Sequence, residues 1–484
     1  MKRFTLILLG ATAISGTLAG CSVGPNYHRP DAPVEQHFTA SEGWTPATPA
    51  DQVDKSAWWR VYNDPVLDGL EQKVVINNQN VAQAEAVVRQ MQATVAEDRA
   101  ALWPTLGLTF GASRSGGSGA AAGTAGGTAT TGTTNGNRFS AGLDAAWSID
   151  IWGKVRRTIE ENEANAQASE ATLANATLST QVTLATTIIN LRVTDANIDL
   201  LTRTVKEYEE NLRVVANAVH AGFNLYPPSN EITAKVQLEN AKASLIALGV
   251  TRAQYAHAIA VLVGKNPEDL DIPHSEGLPA LPNVPVGVPS MLLQRRPDIA
   301  AAERTMKAQN AAVGVAIAAY YPDISLSADF GLLALSHASE TIWSLGASGT
   351  ETILDFGARD AQVAAAKAAY YSAVATYRAT VLTAFQSVEN DLVGLRILAQ
   401  QADVLEDAVR DSRRGTEIAH NEYQAGTVDY TTVATAMATQ LTDEQNALSV
   451  RQTRLIDAAT LIGDLGGGWT DAQLHDAQHT DDAP

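Results

Sequence analysis

Between Phe139 and Ile151 the odd positions hold Phe139, Ala141, Leu143, Ala145, Trp147, Ile149 and Ile151, while Ser140, Gly142, Asp144, Ala146, Ser148 and Asp150 fill the even ones. A period of two sustained over this length predicts a β-strand with one apolar face and one polar or small face. Ile324, Leu326, Ala328, Phe330 and Leu332 alternate in the same way with Asp323, Ser325, Ser327, Asp329 and Gly331, and Leu106, Leu108 and Phe110 give a shorter version. A fourth run starts with Trp343, Leu345 and Ala347, but Glu351 falls on its apolar face, which predicts a bulge or an early exit. Strands are therefore expected over about 104–113, 138–152, 322–334 and 341–356, long enough to cross a bilayer at a tilt. Trp103, Trp152, Tyr321 and Phe356 stand near the strand ends, as an interfacial girdle requires. The competing reading is a soluble sandwich with these rings in its core. Four strands cannot close a membrane barrel, because the smallest have about eight, and an open edge in lipid leaves backbone groups unpaired. Any such barrel must be shared among copies of the chain.

Elsewhere the apolar positions recur every three or four residues, as in Leu178, Val182, Ala185 and Ile189, or Leu382, Phe385, Val388, Leu392 and Leu395. Neither Pro nor Gly interrupts the run from Lys154 to Gly222, and only Gly394 and Gly415 interrupt the one from Gly357 to Gly426. Two rods of some sixty-seven residues follow, each near 100 Å at ~1.5 Å per residue. Shorter helices are expected over 66–101, 230–263, 298–319 and 429–465. Asp64-Pro65 opens the first with an acidic cap and a proline, and Arg296-Pro297-Asp298 opens the third with acid near the N-terminal dipole. Past the amino terminus no eighteen consecutive residues are apolar, so no helix is expected to cross a membrane.

The same order of signals occurs twice. "LWPTLGLTFGAS" around Pro104 has a counterpart in "YYPDISLSADFG" around Pro322; "SIDIWGKVRR" matches "TILDFGARDA"; "HAGFN" matches "QAGTV". Gly153 pairs with Gly357 and Gly222 with Gly426, both at an offset of 204. Self-similarity of this kind marks a duplication. The chain divides into a first repeat over 64–264, a Pro-rich linker over 265–296, a second repeat over 297–469 and an acidic tail over 470–484. A Gly/Ser/Thr/Ala tract between the first two strands reads as a long surface loop.

The start of the chain fixes the compartment. Lys2 and Arg3 precede an apolar run and then small residues, the layout of a signal peptide over 1–20. Cys21 is the one cysteine in 484 residues, so it makes no disulfide within the chain. Leu18-Ala19-Gly20-Cys21 resembles the bacterial lipobox, in which the cysteine becomes the acylated first residue; the alternative is an ordinary cysteine near a disordered start. An acyl chain tethers without spanning, so 21–63 reads as an acylated segment, and Ser22 rather than Asp after the cysteine is what the lipoprotein resemblance associates with outer-membrane lipid. Removing 1–20 takes Lys2 and Arg3 with it and carries the formal charge from −19 to −21, which argues against a nucleic-acid partner.

No constellation points to an enzyme. "HDAQH" sets His475 and His479 four residues apart, a spacing that holds a metal on a helix. It lies in the acidic tail, which has too few apolar residues to dock and reads as disordered, so no metal, cofactor or catalytic residue is expected.

Taken together, the lipobox, "WWRVYNDPVLDGL", the doubled strand–Gly–long helix–"AG" pattern, "LLQRRPDIAAAE" and "DLGGGW" resemble the TolC-like outer-membrane factors of tripartite efflux systems. More narrowly they resemble the lipoprotein branch serving resistance–nodulation–division pumps, over roughly 22–470. The resemblance implies a mixed α/β membrane protein: a homotrimer whose four-stranded contributions make one twelve-stranded barrel, continued by a helical tunnel through the periplasm. It implies a periplasmic adaptor and an inner-membrane pump as partners, and a passive duct that exports small molecules such as drugs. It also implies a gate at the helical tips. "YQAGTVDYTTVATA" matches the family's Tyr-x-x-Gly turn at Tyr423 and Gly426, with Gly222 in the first repeat; Tyr423 is expected to hydrogen-bond across the aperture. Where the family usually places aspartates this chain has Thr432 and Thr435, and Asp429 and Glu231 are the nearest acids, which either line the aperture or sit as solvated helix-end charges. Two other functions fit parts of the pattern: a duct for type I protein secretion, and an acylated coiled-coil lipoprotein acting as a spacer.

Overall fold

The computed structural model describes residues 22–31, 57–115, 136–220, 227–275, 277–282, 296–335, 338–467 and 469. Cys21, Gly222, most of the Gly/Thr-rich loop, much of the linker and the tail with His475 and His479 lie outside the described residues. In chain order the elements are α1 (Pro65–Asn77), α2 (Gln79–Ala100), β1 (Thr105–Ser115), β2 (Gly136–Ser148), α3 (Lys154–His220) and α4 (Pro228–Leu262). They continue with α5 (Pro297–Ala318), β3 (Asp323–Leu335), β4 (Ala338–Thr350), α6 (Ala358–Gln424) and α7 (Tyr430–Asp464). Short 3₁₀ turns stand at Trp58–Tyr62 and Pro267–Asp269. The duplication holds to the residue in the helices: α2 and α5 have 22 residues, α3 and α6 have 67, and α4 and α7 have 35.

The chain folds into two compact units. The first comprises 1–30, 89–167 and 303–376 and contains the sheet. Its strands run β1-β2-β3-β4, antiparallel throughout, so β2 of one repeat pairs with β3 of the other. Asp150 carboxylate oxygens accept from the amides of Val155 and Arg156 at 3.0 Å and cap α3 just below β2. The strand expected over 138–152 therefore ends at Ser148, because the following residues turn into that cap. The strand expected over 341–356 runs from Ala338 to Thr350 and leaves the sheet before Glu351, whose charge would otherwise fall on the apolar face.

The second unit comprises 31–88, 168–302 and 377–484. Its main core joins Trp58, Trp59, Tyr62, Leu67, Leu70 and Val74 to Leu184, Ile188, Ile189, Leu191, Ile259 and Leu455. Complete burial of each such aliphatic side chain contributes about 1.5–3 kcal/mol. Asp64 caps α1 by accepting from Val66 N at 2.8 Å, and Arg192 Nε donates to its other oxygen at 3.0 Å. Where one helix was expected over 66–101 there are two. Asn78 breaks the helix with an extended backbone, and its side-chain oxygen accepts from Asn80 N at 2.9 Å, restarting it as α2. The side-chain amide of Asn78 donates to Leu262 O at 2.7 Å, so a tertiary contact selects the break.

The long helices are rich in Thr, a weak helix former. In α3 the hydroxyls of Thr172, Thr177, Thr180, Thr187, Thr194 and Thr204 all donate to the carbonyl four residues earlier, which satisfies them without breaking the helix. One described helix, α4, is long and apolar enough by composition to cross a bilayer, contrary to the expectation drawn from unbroken apolar runs. Ala234, Leu238, Ala241 and Ile259 are buried and Arg252 Nε donates at 2.6 Å to the fully buried Asp195 of α3, but Ile232, Val236, Ile246, Val250 and Val261 are exposed, so the single chain covers only one side of this helix.

Candidate functional site

Two surfaces hold the residues singled out from the sequence. On the sheet, the register sorts side chains into faces. One face carries Leu106, Leu108, Phe110, Phe139, Leu143, Phe330, Trp343 and Leu345, whose partners in the ladder are each other or alanine or leucine. These side chains are exposed in the single chain, from 41% for Leu143 to 79% for Leu345. A contiguous apolar surface of this kind requires a non-aqueous neighbour. The opposite face carries Thr105, Thr109, Ser140, Ser148, Ser325, Ser327, Ser344 and Ser348, with Asp144 and Asp329 directly opposite one another. Ser344 Oγ donates to Asp329 at 2.6 Å, Ser148 Oγ to Asp323 at 2.9 Å, and Ser325 meets Ser348 at 2.8 Å. One face thus suits lipid and the other water. The outer edges of β1 and β4 pair with nothing among the described residues.

The four aromatics named from the sequence all stand at the helix-proximal end of this sheet. Trp152 Nε1 donates to Pro322 O at 2.9 Å, and its ring stacks on Tyr321 with centroids 4.7 Å apart, joining the two repeats. Trp103 and Phe356 are 73% and 93% exposed. Trp147, read from the sequence as an apolar strand position and not as part of the girdle, anchors the same end by donating from Nε1 to Leu102 O at 2.9 Å.

The second surface is the turn between α6 and α7. Gly426 takes φ +74°, its amide donates to Tyr423 O at 2.9 Å, and the amide of Thr427 reaches back to Glu422 O at 3.0 Å. This is the glycine-closed helix end, in which two backward hydrogen bonds satisfy the last carbonyls. Asp429 caps α7, accepting from Tyr430 N at 2.7 Å and from Thr431 Oγ1 at 3.2 Å. Thr432 and Thr435 are exposed on the first turns of α7. Glu231, in the first turn of α4, lies 3.6 Å from His220 Nε2 at the end of α3. Tyr423 was expected to reach across an aperture. Within the single chain it is 4% exposed, with its ring edge-on to Tyr430 at 5.6 Å. Burial, with smaller contributions from Tyr208 and Tyr423, pushes the Tyr430 hydroxyl up to about 12, so it stays protonated. Tyr208 and Tyr430 complete an apolar tip cluster with Val215, Ala234, Leu238, Val433 and Met437. Tyr430 carried a usable signal, since it lies seven residues after Tyr423 on the far side of a turn glycine.

A sheet with one lipid-suited face, carried by a chain with two pairs of long helices, belongs to the class of membrane-barrel subunits with a helical extension. The chain is a member of the outer membrane efflux protein family, whose model matches residues 70–265 and 288–467. It is 29% identical over 487 residues to the probable efflux pump outer membrane protein TtgC of Pseudomonas putida, covering 96% of each chain. It is 26% identical over 464 residues to the cation efflux system protein CusC of Escherichia coli, covering 93% of this chain and 96% of that one. The solved outer-membrane channel OprN superposes with a TM-score of 0.84 at 28% identity, covering 93% of this chain and all of OprN.

Proposed function

We propose that the protein is the outer-membrane channel of a tripartite efflux system, a passive gated duct for small molecules. The observation that carries this reading is the sheet: exposed and apolar on one face, hydroxyl-lined on the other, and unpaired at both edges among the described residues. Three copies would pair β4 of one with β1 of the next into twelve strands, which removes every edge and gives lipid the apolar face. The homotrimer is supported further by apolar helix positions left uncovered in the single chain, among them Ile246 at 75% and Val404 at 68% exposure. Cys21 would carry acyl chains into the same membrane, and the tip around Gly426, Thr432, Thr435, Asp429 and Glu231 would form the gate that meets a periplasmic adaptor and the inner-membrane pump. The tip's own geometry assigns Asp429 to helix capping, so its negative charge, rather than a freely moving carboxylate, would contribute to the aperture. Relatives named for toluene and for cations are similar to this chain over nearly its whole length, so the duct is expected to pass what its pump delivers.

The test is deletion of the gene, with drug susceptibility and protein secretion measured side by side. Increased susceptibility with secretion intact is expected. Unchanged susceptibility with the loss of a secreted protein would overturn the small-molecule assignment in favour of type I secretion. Discrete conductance steps are expected from the purified protein in planar bilayers, and their absence would favour an acylated spacer.

A further inference from the structure

Ser22–Pro30 has no regular secondary structure, yet it is held from both repeats. From the first, Trp152 O accepts from Val23 N at 3.1 Å. Arg157, in the first turn of α3 and 4% exposed, donates from Nε to Val23 O at 3.1 Å, and from Nη2 to Gly24 O at 3.3 Å and Asn26 Oδ1 at 3.0 Å. Its remaining nitrogen meets Glu160 at 2.6 Å. From the second, Asn310 on α5 donates to Pro25 O at 3.0 Å, and Glu303 accepts from Tyr27 Oη at 2.6 Å. Arg157, Glu303 and Asn310 are all among the buried polar residues. Burying such groups is unfavourable unless they are hydrogen-bonded, and the strap supplies those bonds. The approach is backbone on backbone: Gly24 has φ +97°, and a Cβ on it would stand 2.5 Å from Gly314 Cα. A Cβ at Gly153 would lie 2.8 Å from Ser22.

We propose that α3 and α5 form a peptide-binding groove whose occupant is this chain's own segment Ser22–Pro30, and that Arg157 is the positioning residue that reads its carbonyls. The docked strap clasps the first repeat to the second beneath the sheet. Because the strap begins at the residue after Cys21, docking it also restrains where an anchor on Cys21 would start; this second part rests on the acylation proposed above. The fit is to main-chain oxygens and to a glycine at 24, so the groove selects a Val-Gly-Pro-Asn segment bent at its glycine rather than any apolar peptide.

Limited chymotrypsin digestion of the purified full-length protein in detergent, followed by mass spectrometry, reads the strap directly at the Tyr27–His28 bond. Wild-type protein is expected to resist cleavage there. Arg157→Ala is expected to raise the rate at this bond by at least about tenfold, since cleavage tracks the population of the open form. Circular dichroism and cleavage elsewhere should not change. Arg157→Lys, which cannot meet three acceptors in a planar fork, is expected to fall between. Arg99→Ala removes the ion pair to Glu163 in the same unit and is expected to leave the bond protected. Should Arg157→Ala not fold, Asn310→Ala and hydrogen exchange at the Val23 amide carry the test, with faster exchange expected. Protection unchanged in these variants would overturn the clasp. So would loss of protection in Cys21→Ser, because the lipid would then be holding the strap. None of these readouts depends on transport, so they stand or fall apart from the efflux assignment.

Discussion

Glu71 lies in α1 with 0% exposure, and neither of its carboxyl oxygens has a hydrogen-bond partner among the described residues. Burial pushes its pKa from 4.5 up to about 9, so the folded protein keeps the proton that the unfolded chain gives up. Below pH 4.5 both states are neutral and the residue is innocuous. Between pH 4.5 and 9 the unfolded state alone ionises, and stability falls as pH rises, by ~1.4 kcal/mol per pH unit. The cumulative loss is about 3 kcal/mol per chain at pH 7. Asp391 behaves in the same sense: burial foremost, reinforced by Asp464 and Asp457, raises it to about 8. Glu71→Gln is therefore expected to unfold at a higher temperature than wild type at pH 8 and at an equal one at pH 4. A wild-type midpoint that tracks the variant across that range would show the carboxyl to be paired. Nothing in the sequence announced this residue, because "LDGLEQ" reads as an ordinary helix face until the opposing core is known. The tip was more legible. Gly426 could be named because only a left-handed turn residue fits between two periodic runs. The inward turn of Tyr423 could not, because it depends on Tyr430 and Tyr208 arriving from other elements.

At the scale of elements, Gly426 sets how α6 stops and α7 starts. Alanine there keeps both backward hydrogen bonds but must hold φ +74°, at a cost of about 1 kcal/mol or somewhat more. Gly426→Ala should accelerate hydrogen exchange of the Gly426 and Thr427 amides several-fold while leaving α6 near Val388 unchanged. Equal exchange in both proteins would mean that the turn is not under tension. The offset of 204 made the long helices readable, since a repeated interval constrains both copies at once. The strands were readable by alternation, although their ends were not: the exits at Ser148 and Thr350 depend on caps and charge rather than on period. The break at Asn78 was invisible for a related reason, since it answers to the Leu262 carbonyl, far along the chain.

At the scale of the molecule the question is what covers the helices. Along α6, Ile397, Val404 and Ile418 are 53%, 68% and 48% exposed in one chain. They fall seven and fourteen residues apart, so they share one face and form the kind of seam by which helices supercoil. Were that face washed by water in the assembled protein, a charge at Val404 would change stability by no more than about 0.5 kcal/mol. If a second copy covers it, the same charge is desolvated without a partner and assembly weakens by several-fold that amount. Val404→Glu is thus expected to shift the proposed trimer toward monomer in detergent, read by light scattering and by gel mobility before and after heating. Tyr371→Glu, 68% exposed on the same helix but off the heptad positions, serves as the comparison. A Val404→Glu protein as trimeric and as heat-stable as wild type would remove the seam from the assembly. The case for neighbours would then rest on the unpaired strand edges and on the exposed apolar positions of α4, such as Ile246.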